Sequence, residues 1–374
     1  MEIQYTRRLK KIEAVLETWL PKTLDPAWLE KVFGPLVPAA SQGIPAAPQG
    51  TPAVLDLAES LVRPLRDLLG RGGKRWRPLL MILVAESIAG DNGAETALPL
   101  VPLVEFPHNA SLIHDDIEDN SDERRGKPAV HLLYGTDTAI NAGAFMYFLP
   151  LTCLAGESPS GWKMKDRIWA AWASHMRALH LGQAMDIAWH RDFHSLPALD
   201  DYDRMCRLKT GCLARLAAVL GVYCAEAAPG VNQETGNFDE LADVFGKAAA
   251  QLGVGFQILD DVRNLDSGVP GKKRGDDIVE GKKSLPVLLY LHRYPEKRDF
   301  TARCFASARE KGIKAPELEE FIGELEGAGV LEEARAKGLE YIEESRKIFS
   351  LTTAGGFSFK KDRQELLTKL IDLL

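Results

Sequence analysis

Apolar residues recur every three to four positions over most of this chain, the spacing that places them on one face of an α-helix. Leu9, Ile12, Val15, Leu16 and Trp19 follow it at the start, so residues 1 to about 33 are predicted to form an amphipathic helical segment. GPLVPAASQGIPAAPQGTPA, from Gly34, breaks the period with Pro, Gly and Ala and reads as a loop. Beyond it the period resumes, and about a dozen helices are expected. Alternating β-branched runs long enough for a sheet are missing. LLMILVAESIAG and AGAFMYFLPLTCLAG are apolar round most of their circumference, which suits the inside of a large bundle. PELEEFIGELEGAGVLEEARAKGLEYIEESRKIF predicts a solvated helical pair with i,i+4 acid–base spacing. The pattern predicts an all-α protein: a large single-domain helical bundle over residues 51–374, preceded by residues 1–50 as a helical segment and Pro/Gly/Ala-rich loop.

Composition narrows the function. A chain of 374 residues with 45% hydrophobic and 26% charged residues can bury a sizeable core. Its net charge of −7 argues against a nucleic-acid partner, which usually requires a basic face. Any anionic ligand must be held by local cations. Cys153, Cys206, Cys212, Cys224 and Cys304 are an odd set without C-x-x-C spacing, as expected of reduced thiols in a cytoplasmic protein. MEIQYTRRLKK lacks the apolar core of a secretory signal. The longest apolar stretch, LAAVLGVYCAEAA, is interrupted by Glu226 and is short for a bilayer, so no stable membrane insertion is expected.

One stretch stands out against that background. In SLIHDDIEDNSDERRGKPAVH an apolar helical run ends in Asp115, Asp116, Glu118 and Asp119, and Arg124 and Arg125 follow at once. Like charges at helical spacing repel. Asp115 and Asp119 lie one above the other on a helix, while Asp116 projects about 100° away. Clustered carboxylates suit Mg²⁺, which takes oxygen ligands and shares its shell with substrate phosphates. A solvated acidic face is the bland alternative. GFQILDDVRNLD weakens it, because Asp260 and Asp261 repeat the layout at the end of another apolar run. Cations come in matching groups: Lys74, Arg75 and Arg77 in GGKRWRP, then Arg124 and Arg125, Lys209 in LKTG, and Lys272 and Lys282 in GKKRGDDIVEGKKSLP. Guanidinium forks and ammonium charges bind phosphate oxygens. Two acidic pairs with these cations define a diphosphate site.

This set of motifs, from about Leu69 to Pro286, resembles the trans-isoprenyl diphosphate synthase (polyprenyl synthetase) family, and in motif detail its geranylgeranyl diphosphate synthases. The resemblance implies the isoprenoid synthase fold, an all-α bundle around a deep apolar cavity. It implies a prenyltransferase that condenses isopentenyl diphosphate with an allylic diphosphate. Mg²⁺ would be held by Asp115, Asp116 and Asp119 of a first aspartate-rich motif and by Asp260 and Asp261 of a second. Lys74, Arg77, His108 and Arg125 resemble the isopentenyl diphosphate site. Arg124, Lys209, Thr210, Gln257, Lys272 and Lys282 resemble the allylic site, with Lys209 counted among the catalytic groups. Arg75 matches a position that varies in type. The family also implies a homodimer.

Two positions depart from the family pattern. Asn264 stands where many members carry Asp, and its carbonyl still offers a metal ligand; Ser284 replaces a Thr and keeps the hydroxyl. Small residues at Ala110 and Ser111, just before the first motif, leave the path of the growing chain open, which points to a C20 product or longer rather than the C15 alternative, farnesyl diphosphate. Phe145, Met146, Tyr147 and Phe148 are alternative positions for the cavity floor. Rival readings fit less of the chain. A terpene cyclase has no use for a second diphosphate site, and a catalytically silent partner subunit typically lacks an aspartate-rich motif. A metal phosphohydrolase using His108, His114 and His131 leaves the second Asp pair idle.

Overall fold

The computed structural model describes residues 2–34, 54–154, 164–232, 234, 236–268 and 273–372. Among them are seventeen α-helices, where the apolar period alone predicts about a dozen. They are α1 (Glu2–Trp19), α2 (Pro26–Phe33), α3 (Val54–Gly70), α4 (Trp76–Ala97), α5 (Pro102–Glu118), α6 (Val130–Tyr134), α7 (Thr136–Phe148), α8 (Lys165–Arg191) and α9 (Leu199–Cys206). There follow α10 (Cys212–Glu226), α11 (Phe238–Asp266), α12 (Asp276–Glu280), α13 (Leu285–Arg293), α14 (Arg298–Lys311), α15 (Pro316–Gly327), α16 (Val330–Phe349) and α17 (Lys361–Asp372).

Local chemistry explains the extra boundaries. The N-terminal segment divides because Asp25 caps α2, its Oδ1 accepting from Trp28 N at 2.7 Å, with Pro26 in the first turn. The run LLMILVAESIAG ends in a kink at Gly90, whose φ of 62° no helix continues. AGAFMYFLPLTCLAG stops as α-helix at Phe148, and Leu149–Leu154 tightens to a 3₁₀ turn around Pro150.

Two apolar clusters hold the elements. The larger joins Ile12 and Leu16 of α1, Val84 of α4, Phe106 of α5, Leu216 and Leu220 of α10 and Phe245 of α11, all fully buried. Each such side chain contributes roughly 1.5–3 kcal/mol of burial free energy. α10 lies so close to α4 that a Cβ on Gly221 would meet Met81 O at 2.6 Å. The smaller cluster gathers Ile258 and Val262 of α11 with Tyr290, Phe305, Phe321 and Leu325. It takes up the inner faces of α15 and α16, which are therefore docked on one side rather than solvated all round.

Two features bring the site together. α9 and α10 are joined through a π-helical turn, Arg207–Gly211. The resulting helix, Leu199–Glu226, is long and apolar enough by composition to cross a membrane, and 72% of its most apolar window is buried inside the bundle. After α5 a small hairpin pairs β1 (Glu123–Arg124) with β2 (Lys127–Pro128). Positive φ at Arg125 (53°) and Gly126 (74°) gives it the tight turn that matches strand twist.

Candidate active site

The C-terminal ends of α5 and α11 face each other across a cavity of about 440 Å³. Its lining is about equally polar and apolar, with Trp76, Leu112, Leu179, Met205 and Leu213 on the apolar side. It holds Lys74, Arg77, His108, Ser111, Asp115, Arg124, Arg125, Lys209, Thr210, Gln257, Asp260, Asp261 and Lys282. Lys272 lies outside the described residues.

On the acidic side each carboxylate has a distinct neighbourhood. Asp115 Oδ1 accepts from Lys209 Nζ at 3.1 Å and from Gln183 Nε2 at 3.0 Å. Asp119 Oδ2 accepts from Lys282 Nζ at 2.9 Å. Burial still lifts Asp119 above the ordinary carboxylate range against that lysine. Asp261 accepts from Tyr202 Oη at 2.7 Å, Gln257 Nε2 at 2.9 Å and Leu285 N at 3.3 Å. Burial, with Asp277 nearby, pushes its pKa up to about 7, the mark of buried negative charge short of a counter-ion. Asp260 is exposed at the mouth and accepts from Arg263 at 3.1 Å. Asp116, which the resemblance groups with the metal-binding carboxylates, has a different setting. It is fully buried and bound by Arg124 Nε at 2.8 Å, and, like Asp119, it is off the cavity lining.

The basic side is crowded with cations. His108 is held well below the usual histidine range by its enclosure and by Arg77 and Arg125, so it is neutral at physiological pH. Arg125 falls to about 10 through burial and the Arg75 charge. Between the two sides, burial lowers the Lys209 pKa, but Asp115 and Asp186 outweigh it and the amine stays charged. Thr210 Oγ1 donates to Gln257 Oε1 at 2.7 Å.

The helices that carry these groups meet at glycines. A Cβ on Gly182 of α8 would lie 2.4 Å from Lys209 N, and one on Gly253 of α11 would lie 2.7 Å from Gly211 Cα. The π-helical turn with Lys209 and Thr210 is thus set by close backbone contact on two sides.

Several contributors escaped the sequence reading. Asp186 holds Lys209 Nζ at 2.6 Å, and Gln183 bridges Asp115 and Glu118; both lie on one face of α8 in LGQAMD, three positions apart. Tyr202 and Glu105 lie outside every motif, and Asp277 lies inside GKKRGDDIVEGKKSLP, where only the cations carry a reading. Asn264 is on the cavity lining, and its Oδ1 accepts from Asp277 N at 3.1 Å, a bond that docks α12. Ala110 is buried off the lining, whereas Ser111 is on it. Phe148 is 64% exposed and cannot floor a cavity within this chain. Phe145 stacks on Phe33, and Met146 and Tyr147 are buried.

A charged cavity of this build on an all-α bundle defines a helical diphosphate-handling enzyme, and comparison with known proteins narrows it. Residues 58–321 match the polyprenyl synthetase family, and the chain belongs to it. It is 32% identical over 323 residues to a short chain isoprenyl diphosphate synthase of Methanocaldococcus jannaschii, covering 86% of this chain and 90% of that protein. It is 30% identical over 311 residues to geranylfarnesyl diphosphate synthase of Aeropyrum pernix, covering 82% and 91%. A crystal structure of a Caulobacter crescentus polyprenyl synthase, complexed with calcium and isoprenyl diphosphate, superposes with a TM-score of 0.68 at 25% identity over 86% of this chain and 89% of that one.

Proposed function

We propose that this chain condenses isopentenyl diphosphate with an allylic diphosphate, forming a trans-polyprenyl diphosphate of C20 or longer and releasing pyrophosphate. One observation carries the reading: a single cavity is divided into a side short of anions and a side short of cations. Arg77, Arg125 and neutral His108 stand on the first, with their pKa values drawn down. Asp119 and Asp261 stand on the second, with theirs drawn up. Two diphosphates and divalent cations would settle both deficits at once.

In this reading Lys74, Arg77, His108 and Arg125 bind isopentenyl diphosphate. His108 donates a hydrogen bond without adding charge. Lys209, Thr210, Gln257, Arg124, Lys282 and Lys272 serve the allylic diphosphate. Asp115, Asp119, Asp260 and Asp261 are the oxygen donors for Mg²⁺, and Asp116 contributes by holding Arg124. Among the described residues no three acidic, His or Cys side chains converge to hold a metal unaided. Donors that come in pairs from facing helices suit an ion that completes its shell with water and substrate oxygen. When bound, the ion offsets the charge that builds on the leaving diphosphate. Lys209, fixed between Asp115 and Asp186, is poised to meet the same charge with an ammonium that needs no reorganisation. Leu112, Leu179 and Leu213 shield the allylic carbon from water.

A chain of C20 or longer is supported by the small Ser111 side chain on the lining and by the geranylfarnesyl product in the name of the Aeropyrum relative. We further propose a cytoplasmic homodimer. Exposed Ile140, Phe148, Trp169 and Leu181 on α7 and α8 provide the apolar surface it needs. The direct test incubates purified protein with isopentenyl diphosphate, each allylic primer and Mg²⁺, then sizes the products by chromatography. No elongated product overturns the activity; a product stopping at C15 overturns the length alone.

A further inference from the structure

Arg75 and Arg125 share an uncommon backbone state. Their φ values are 48° and 53°, in the left-handed region that a bulky L-residue keeps only where its surroundings overdetermine it. Both side chains end at one pair of residues a turn apart on α5. Arg75 NH1 donates to Glu105 Oε1 at 2.9 Å, and the same oxygen accepts from Asn109 Nδ2 at 2.9 Å. Asn109 Oδ1 in turn accepts from Arg125 NH1 at 3.1 Å. Glu105 is 2% exposed and Asn109 is fully buried.

The remaining contacts tie this pair to its surroundings. Arg75 NH2 donates to Leu69 O at 2.6 Å and NH1 to Gly72 O at 3.2 Å, while Arg125 NH1 reaches Leu68 O at 3.1 Å. Arg75 Nε donates to Glu13 Oε1 of α1 at 2.8 Å. Arg75 is buried, and its donors are spent on protein acceptors rather than held for a ligand. Gly73 sits where a Cβ would meet Arg75 NH1 at 3.0 Å and Arg125 NH2 at 3.2 Å, so the segment carrying Lys74 is packed on these two guanidinium groups. Glu105 is also a counter-charge that raises both Arg77 and Arg125 against burial.

We propose that Glu105 and Asn109 are positioning residues for the isopentenyl diphosphate side of the cavity, acting through Arg75 and Arg125, and that Glu13 extends this support to the N-terminal helix. The inference rests on assigning Lys74, Arg77, His108 and Arg125 to that substrate. With Gln at position 105, Arg75 loses its buried counter-charge and an amide N–H can face its guanidinium. Arg125 and the Lys74 segment then lose their common anchor. Of the groups assigned to the allylic side, Lys209, Thr210, Gln257 and Lys282 share none of these bonds, and Arg124, next to Arg125 on the hairpin, is held by Asp116 instead.

The test is a KM-against-kcat split for both substrates in Glu105→Gln, Asn109→Leu and Glu13→Gln, with Arg77→Ala as reference. Glu105→Gln and Asn109→Leu are expected to raise KM for isopentenyl diphosphate about tenfold, roughly 1.4 kcal/mol of binding, with the allylic KM changed by less than about twofold. Glu13→Gln, on an accessible side chain that leaves the core intact, shifts the same KM about twofold in the same direction, and it decides the matter if the buried variants do not fold. Titration calorimetry of isopentenyl diphosphate without metal should show the same weakening. An isopentenyl KM unchanged in these variants while Arg77→Ala raises it overturns the inference alone, as does an equal loss for both substrates. An Arg77→Ala enzyme with a normal isopentenyl KM removes the assignment beneath it.

Discussion

Single side chains in this cavity are distinguished by what neutralises them. Asp115 and Asp119 face lysines, Asp116 faces an arginine, and among the described residues Asp261 has only hydroxyl and amide donors within hydrogen-bonding reach. Removing an oxygen donor from such a site strips charge stabilisation from the transition state. Asp115→Ala and Asp261→Ala are each expected to lower kcat at least about a hundredfold at saturating Mg²⁺, measured with labelled isopentenyl diphosphate. Full turnover in either variant, or in excess chelator, contradicts the metal reading. At Ser111 the expected change is in product rather than rate. Its side chain is on the cavity lining with Oγ turned back to His108 O at 2.8 Å, so a Phe there projects a ring into the close-packed path of the chain. Ser111→Phe should shift products toward C10–C15, lengths set by about two to three isoprene units, and an unchanged distribution at normal turnover places the floor elsewhere.

Helices and turns, rather than side chains, decide where the lysine of the allylic side sits. Lys209 and Thr210 ride on a π-helical turn wedged between α8 and α11, and the wedge depends on Gly182 and Gly253 having no side chain. A methyl group at Gly182 would fall 2.4 Å from Lys209 N, backbone that cannot swing aside. Gly182→Ala should cut kcat by about tenfold or more, at the scale of a misplaced charge-stabilising group, with helical content unchanged by circular dichroism. Undiminished kcat would mean that the turn adapts. LKTG and LGQAMD are legible in the sequence, but they begin 27 positions apart and nothing in a helical period says that one glycine receives the other segment. The hairpin after α5 is similar. RRG-x-P is visible as a cation pair, whereas the opposed roles of Arg124, turned to Asp116, and Arg125, turned to Asn109, follow from the turn geometry.

For the whole molecule the unmet charges make stability depend on pH and metal together. Asp261 titrates near 7 in the folded chain and near 3.8 in its ordinary state, so between those values the folded protein binds the extra proton. Its contribution to stability therefore falls as pH rises from about 4 to about 7, by a few kcal/mol at most, and a cation bound to the ionised form reverses the loss. The Tm of the metal-free protein relative to Asp261→Asn should decline over that range, and the Tm gain on adding Mg²⁺ should be larger at about pH 7.5 than at about pH 5.5. Equal metal-induced shifts at both values contradict this account.

The helical class, the buried character of the central helices, the acidic and basic clusters and, through the motifs, the family are all legible in the amino-acid order. These are local properties: a 3.6-residue period, an Asp pair closing an apolar run and a glycine-flanked lysine are each readable within a few turns. Which charge meets which is settled by the packing of the bundle. It turned Asp116 away to Arg124, gave Lys209 to Asp186 as well as Asp115, engaged the Asn264 carbonyl with Asp277 N and brought Glu13 to Arg75 across 62 positions of chain. The physical reason is the range of the forces concerned. Helix formation and burial are set by neighbours in sequence, whereas an ion pair or hydrogen bond forms only between groups that packing has brought within about 3 Å, and that packing is a property of the whole bundle.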